Sequence, residues 1–297
     1  MNSKYIPMVC AAVLCSSVYA QEEKIEEKSL ESKIKEYVSF EASLMFDSKF
    51  MSYGLVDNKD SIITPSATAT FFDIFSLGVS AIFDTTKYGK KAGYSNRGGR
   101  YTELDPAANI CYDFSPEDFS WLPTTFSFCL GYMYEYHPRS MGEAGEDTQF
   151  VTLEMSLPDV FLEPCFLYER DIDRDDGTYL NLELGHTFAI IDAKEEGTDP
   201  ILDFRLSVAQ GFGNAQRVKG YLTKLDGEAL DHAGLMDTCF KGEITYRMCE
   251  MFSVSGYVAY YDYLLDQETR SASNVYEATG KDDHNNFVCG VALTASF

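Results

Sequence analysis

The sequence predicts an all-β protein, an up-and-down antiparallel transmembrane β-barrel of about twelve strands preceded by a short helical or disordered arm. Three observations predict it. Apolar residues recur at every second position in segment after segment, tight joins alternate with long ones, and aromatic residues (20 Tyr, 21 Phe) gather near segment ends.

The first 20 residues read as a secretory signal peptide: Lys4, an apolar run from Ile6 to Val18, and a small residue at Ala20 before Gln21. A lipoprotein at Cys15 is rejected, because Leu14 is bulky where a small residue is expected. Residues 21–36, QEEKIEEKSLESKIKE, alternate acids and bases at helical spacing without a wide apolar stripe, so a solvated periplasmic arm is expected. Ile25, Leu30 and Ile34 form at most a narrow seam. The barrel domain is placed at 37–297.

From Tyr37 the period is two. Val38, Phe40, Ala42, Leu44 and Phe46 alternate with Ser39, Glu41 and Ser43, and Phe126, Phe128, Leu130, Tyr132, Tyr134 and Tyr136 alternate with Ser127, Cys129, Gly131, Met133 and Glu135. Strands are predicted at 38–46, 62–72, 75–83, 102–114, 126–136, 148–157, 160–170, 178–190, 201–212, 236–247, 251–264 and 286–297. Every second join is tight or compact, as at Phe72-Asp73-Ile74, Leu157-Pro158-Asp159 and Met248-Cys249-Glu250. The others, among them 47–61, 87–101, 213–235 and 265–285, are longer and polar. Short turns at one end and long loops at the other, with both termini at the short-turn end, fit a membrane barrel. A soluble β-sandwich also alternates, but its exposed face is rich in Lys, Glu and Thr, whereas the polar positions here hold mainly Ser, Thr, Gly, Ala and Cys. Tyr37, Phe72, Phe114, Tyr136, Phe212, Tyr246, Tyr261 and Tyr263 are assigned to aromatic girdles.

The last stretch, FVCGVALTASF, resembles the closing strand of Gram-negative outer-membrane barrels, which typically end in an aromatic residue. The resemblance implies a porin-like protein of the cell outer membrane, embedded in outer-membrane lipid, with Phe297 as the signal read by the barrel-assembly machinery. Phe287, Cys289, Val291, Leu293, Ala295 and Phe297 would then face lipid. Residues 47–71, with an aromatic, a Gly and an Asp-rich bend, also resemble the first hairpin of outer-membrane proteins of the TorF kind.

Charge bounds the function. With 47 acids against 24 bases, a net −23, the chain has no basic stripe, so nucleic acid is excluded as a partner. If apolar residues face out, the inward set holds Glu41, Asp84, Asp113, Glu135, Glu154, Glu163, Glu169, Glu183, Asp203 and Glu243 against Arg205 and Lys241. Such a lumen prefers cations. Arg205 and Lys241, on neighbouring strands beside Asp203 and Glu243, read as a cross-strand ion-pair cluster or as a selectivity site. The expected function is passive passage of small solutes; a non-conducting structural or ligand-binding barrel is the alternative.

No enzyme is expected, and no cofactor. His186 falls on the outer register of its strand, where twelve-stranded outer-membrane phospholipases carry His-x-Ser, but Phe188 stands at the serine position. His137, His232 and His284 have no ligand spacing with one another. Asp171, Asp173 and Asp175 before Gly177 resemble the start of a calcium loop, with the glycine one place late and Leu182 in place of the closing glutamate. They read as an acidic hairpin tip or a weak divalent-ion site. Of the six cysteines beyond the signal peptide, Cys111 and Cys129 share adjacent strands and one face, so a single bridge is feasible. The sequence leaves the oligomeric state open.

Overall fold

A computed structural model describes residues 37–58, 60–85, 101–137, 147–193, 199–222, 229–271 and 286–297. The proposed signal peptide, the arm, His284 and parts of the long loops lie outside these residues.

Twelve antiparallel strands close into a barrel. They are β1 (Val38–Asp47), β4 (Ile62–Phe71), β5 (Phe75–Asp84), β6 (Tyr101–Phe114), β7 (Phe126–Glu135), β8 (Thr148–Ser156), β9 (Cys165–Asp171), β10 (Thr178–Ile191), β11 (Leu202–Gly213), β12 (Gly234–Cys249), β13 (Phe252–Asp262) and β14 (Phe287–Ser296). Two further strands, β2 (Phe50–Ser52) and β3 (Leu55–Asn58), make a separate hairpin in the first long loop. A short helix, α1 (Ala215–Tyr221), lies in the loop after β11, and a further helical turn spans 267–271.

Closure follows from the backbone. A sheet edge in hydrocarbon would leave amides unpaired, so a membrane sheet must return to its first strand. β1 pairs with β14, with Leu44 opposite Leu293 and Ala42 opposite Ala295. Phe40 and Phe297 exchange both backbone hydrogen bonds, at 3.1 and 2.8 Å. On the other flank of β1 the Ser43 and Ser66 hydroxyls meet at 2.7 Å. The side chains sort as the period requires: Phe40, Leu44, Leu77, Ile110, Leu130, Leu206, Phe240, Val258, Val291 and Leu293 are exposed on the outer wall, while Ser43, Ser66, Ser80 and Asn109 bond to partners across the inner one. Outward aromatics pair near the strand ends, as Phe71 with Phe75 and Phe114 with Phe126 at one end and Phe83 with Tyr101 at the other. Tyr261 and Tyr263 depart from the expected girdle. Tyr261 faces inward against Ala209, Cys239 and Ala259. Tyr263 is buried and donates its hydroxyl to the Tyr53 carbonyl at 2.5 Å, because the loop hairpin covers it from the lumen side.

Two predicted elements are corrected. The strand expected at 160–170 begins only at Cys165, and the turn before it fills 157–164. Pro158 and Pro164 cannot donate to a ladder. The Leu157 amide instead bonds the Pro164 carbonyl at 3.0 Å, and Leu162 and Glu163 adopt positive φ of 73° and 35°. The 47–61 join, expected as a plain polar loop, contains the β2–β3 hairpin. Its two turn residues, Tyr53 (φ 48°) and Gly54 (φ 77°), have the positive-φ pair of a tight hairpin turn.

Cys111 and Cys129 stand directly opposite each other on β6 and β7 and form a disulfide. Cys165, Cys239, Cys249 and Cys289 are free thiols. Replacing Cys111 and Cys129 together by serine should lower the unfolding free energy by about 2–3 kcal/mol for a loop of this length. Urea titration with and without reductant reads that loss, and the reductant should have no further effect on the double variant.

Candidate functional site

Among the described residues, three groups of charged side chains stand out on the lumen wall. The first lies at the short-turn half of β10, β11 and β12. By register Arg205 lies opposite Thr187 on one side and Glu243 on the other. Its guanidinium turns towards β10, ion-pairing with Glu163 and with Glu183 at 3.1 Å and donating to the Thr187 hydroxyl at 3.1 Å. The Glu163 carboxylate also accepts the Thr187 amide at 2.9 Å and its hydroxyl at 3.2 Å. Glu163 therefore satisfies the Thr187 amide, a backbone donor that the shortened β9 leaves without a strand partner, which explains why the left-handed backbone at Leu162 and Glu163 is retained. His186 lies beside it, with Nδ1 3.5 Å from Glu163 and its ring between Phe161 and Phe188.

The expected four-residue cluster of Asp203, Arg205, Lys241 and Glu243 is thereby resolved into separate pairs. Lys241 pairs with Glu243 on its own strand and lies 4.9 Å from the Tyr257 ring. Asp203 pairs with Arg247, which also reaches the Pro200 carbonyl at 2.9 Å. Arg247 is not part of the inward set expected from the sequence, because it lies at the strand end, where the alternation offers no contrast. Tyr257 donates to Asp47 at 2.5 Å, extending the polar band to β1.

The second group lies at the long-loop mouth. Arg217, on the first turn of α1, is 0 % exposed. It donates to the Tyr53 hydroxyl at 3.2 Å, lies 3.5 Å from Glu169 and 3.6 Å from Asp175, and sits over the rings of Tyr53, Tyr221 and Phe150 at 4.8, 5.5 and 5.6 Å. Tyr53 in turn donates to Glu169 at 2.5 Å. Burial works against the charge of Arg217, but the oxygens of Tyr53, Tyr221, Asp175 and Glu169 outweigh it and hold the guanidinium protonated. Asn214 caps α1 by accepting the Arg217 amide at 2.9 Å, and it takes the Thr178 amide as well, fixing the helix to the start of β10. Beneath lie the apolar contacts of Leu55, Val218, Leu222, Leu230, Met236 and Tyr263. In the ring of strands β9 is six steps from β1 one way and five from β4 the other, so Tyr53 reaches the opposite wall. A side chain at Gly54 would meet the Asp237 Cβ at 2.3 Å, which makes glycine necessary at this crossing.

The third group is Glu103, Glu135 and His137 at the long-loop end of β6 and β7. The sequence placed Glu135 on the lumen face but gave His137 no partner; its imidazole Nε2 lies 3.4 Å from Glu103 and 3.3 Å from Glu135. The signal lay in the strand register, which requires knowing where the β6–β7 turn ends.

Asp171, Asp173 and Asp175 are not brought together. Asp171 accepts the amides of residues 173 and 174 at 3.0 and 2.8 Å, Asp173 accepts from Gln149 at 3.1 Å, and Asp175 bonds the Gly177 amide and faces Arg217. Glu154 is exposed on the inner wall, and Glu41 lines a cavity of ≈ 390 Å³ with Thr68, Thr70, Glu250 and Ser296 at the short-turn end.

No family model matches the sequence, and no curated protein does. Solved structures resemble the fold. An outer membrane channel from Pseudomonas putida F1 is 11% identical, with 88% of this chain and 96% of that one aligned at a TM-score of 0.49. Acinetobacter baumannii Omp33 is 8% identical over 88% and 99% of the two chains at 0.37. Salmonella typhi OmpF is 10% identical over 88% and 97% at 0.35. Closed, twelve-stranded, apolar outside and polar within, the fold is that of an outer-membrane β-barrel.

Burial opposes ionisation of Glu163, yet the Thr187 amide and the Arg205 guanidinium hold its carboxyl below the usual glutamate value. A carboxyl depressed in the folded state adds stability above its unfolded value and loses it as pH falls through the folded one. Acidification below the ordinary carboxylate range should therefore cost the wild type more stability than Glu163→Gln, which at neutral pH should itself lose about 1–2 kcal/mol. Urea unfolding in detergent across that range checks both.

Proposed function

We propose that the protein is a channel for small solutes, neutral or cationic, whose long-loop mouth is narrowed by the β2–β3 hairpin and α1. The observation that carries this reading is the charge left on the inner wall once the ion pairs are set aside. Arg205, Lys241, Arg247 and Arg217 are each held by acids. Glu41, Asp113 and Glu154 are exposed inner-wall acids with no ion pair among the described residues. A wall of this sign lowers the energy of a permeating cation and raises that of an anion. The outer aromatic and aliphatic face would take outer-membrane lipid, and Phe297 would be the residue presented to the barrel-assembly machinery. No part of this reading requires catalysis or a cofactor.

A non-conducting barrel is the second reading, favoured by the hairpin that crosses the mouth. Refolded protein in a planar bilayer under a KCl gradient separates the two. The channel reading expects discrete steps with a cation-selective reversal potential, and Glu41→Gln with Glu154→Gln should move that potential towards zero. Insertion without steps would select the silent barrel, and an anion-selective potential would overturn the charge argument.

A further inference from the structure

β6 and β7 bring four ligand-type side chains to one small area of the lumen face. The Leu104 and Tyr136 backbones exchange two hydrogen bonds, at 3.0 and 2.9 Å, continuing the ladder in which Ala107 faces Met133. Counting outwards from that bridge, Glu103 lies across from His137 and Asp105 across from Glu135, all four on the same side of the sheet. The backbone of His137 is held in place by Asp147, which accepts its amide at 2.8 Å.

We propose that this square is a binding site for a single divalent first-row transition-metal ion, with Glu103, Glu135 and His137 as ligands and Asp105 beside them. Zn²⁺ holds nitrogen and oxygen ligands at roughly 2.0–2.2 Å, which places neighbouring ligand atoms about 3.4 Å apart in a tetrahedron. The His137 Nε2 distances to the two carboxylates are 3.4 and 3.3 Å, and the three ligand atoms all lie within 4.8 Å of one another. The fit needs no rearrangement of the strands.

Asp105 gives a second, independent indication. It is only 9 % exposed, Ser80 donates to its Oδ2 at 3.2 Å, and its Oδ1 is buried without a hydrogen-bond donor. Its charged neighbours are Glu103 and His137, and the charge of Asp105 is felt in turn by Glu135. Arg174 is near enough to act on Glu135 and His137 electrostatically. Three carboxylates around one imidazole repel each other unless a cation is shared among them. Mixed imidazole and carboxylate ligands favour Zn²⁺ and its first-row neighbours over Ca²⁺, which prefers six to eight oxygens. The site is independent of conduction and stands whether the lumen passes solutes or not.

The test is Zn²⁺ binding to the untagged, refolded full chain in detergent, by competition with a fluorescent chelator, with Co²⁺ as the spectroscopic probe. One equivalent of Zn²⁺ should bind, His137→Ala and Glu103→Gln should each weaken it at least about tenfold, and Asp173→Asn should leave it unchanged. Heat-modifiable migration on gels verifies that each variant is folded. Should both variants misfold, the wild-type Co²⁺ spectrum still decides. Ligand-field bands of nitrogen and oxygen coordination support the site, whereas sulfur charge-transfer bands or aquo-cobalt alone overturn it. Absence of saturable Zn²⁺ binding, or binding indifferent to both substitutions, also overturns it.

Discussion

The arrangement of the mouth depends on one buried cation. Removing a guanidinium from water costs several kcal/mol unless acids and dipoles replace the lost hydration, and deleting one partner of such a group costs about 3–5 kcal/mol. Arg217 is fully buried, and its replacements for water come from four places: the hairpin tip through Tyr53, β9 through Glu169, the 171–177 loop through Asp175, and α1 itself through Tyr221. Each of those segments is thereby obliged to stay where it is. The left-handed backbone at Tyr53, unfavourable for an aromatic residue, is tolerated because the ring and hydroxyl are fixed by the same group. The apolar contacts of Leu55, Val218 and Leu222 then exclude water and make each of these polar contacts stronger.

The wall below follows a different rule. There the charges sit on regular strands at fixed spacings, and each base selects the acid that its own reach and the sheet's irregularities allow. Arg205 lies opposite Glu243 in register yet turns towards Glu183 and Glu163, because the late start of β9 leaves Glu163 free to swing into the lumen edge. Lys241 and Glu243 then pair along one strand, and Arg247 takes Asp203. The net effect is that Arg205, Lys241 and Arg247 each hold an acid on or beside the wall.

Much of the barrel was legible because a strand with one face in lipid and one in the lumen imposes a strict period of two, and the tight turns fix the register. The C-terminal seam, with Phe297 against Phe40, follows from that pattern. The shortened β9 was hidden by the apolar run around Pro164, where only the missing proline N–H reveals the break. The β2–β3 hairpin was hidden because its strands, Phe50–Ser52 and Leu55–Asn58, are too short to show a period of two. His137 stood outside the alternating segment, so its relation to Glu103 depended on a register set by a turn eleven residues long, 115–125. Arg217 was invisible for a deeper reason: α1 has no wide apolar stripe, and its burial comes from distant segments that converge only in three dimensions.

The most direct test of the Arg217 account is hydrogen exchange of the hairpin amides at 50–58 in the refolded protein, wild type against Arg217→Met. The account predicts that Met51, Ser52, Leu55 and Val56 exchange slowly in the wild type and much faster in the variant, while β10 and β11 remain protected in both. Hairpin amides that exchange freely in the wild type, or stay protected without Arg217, would contradict it.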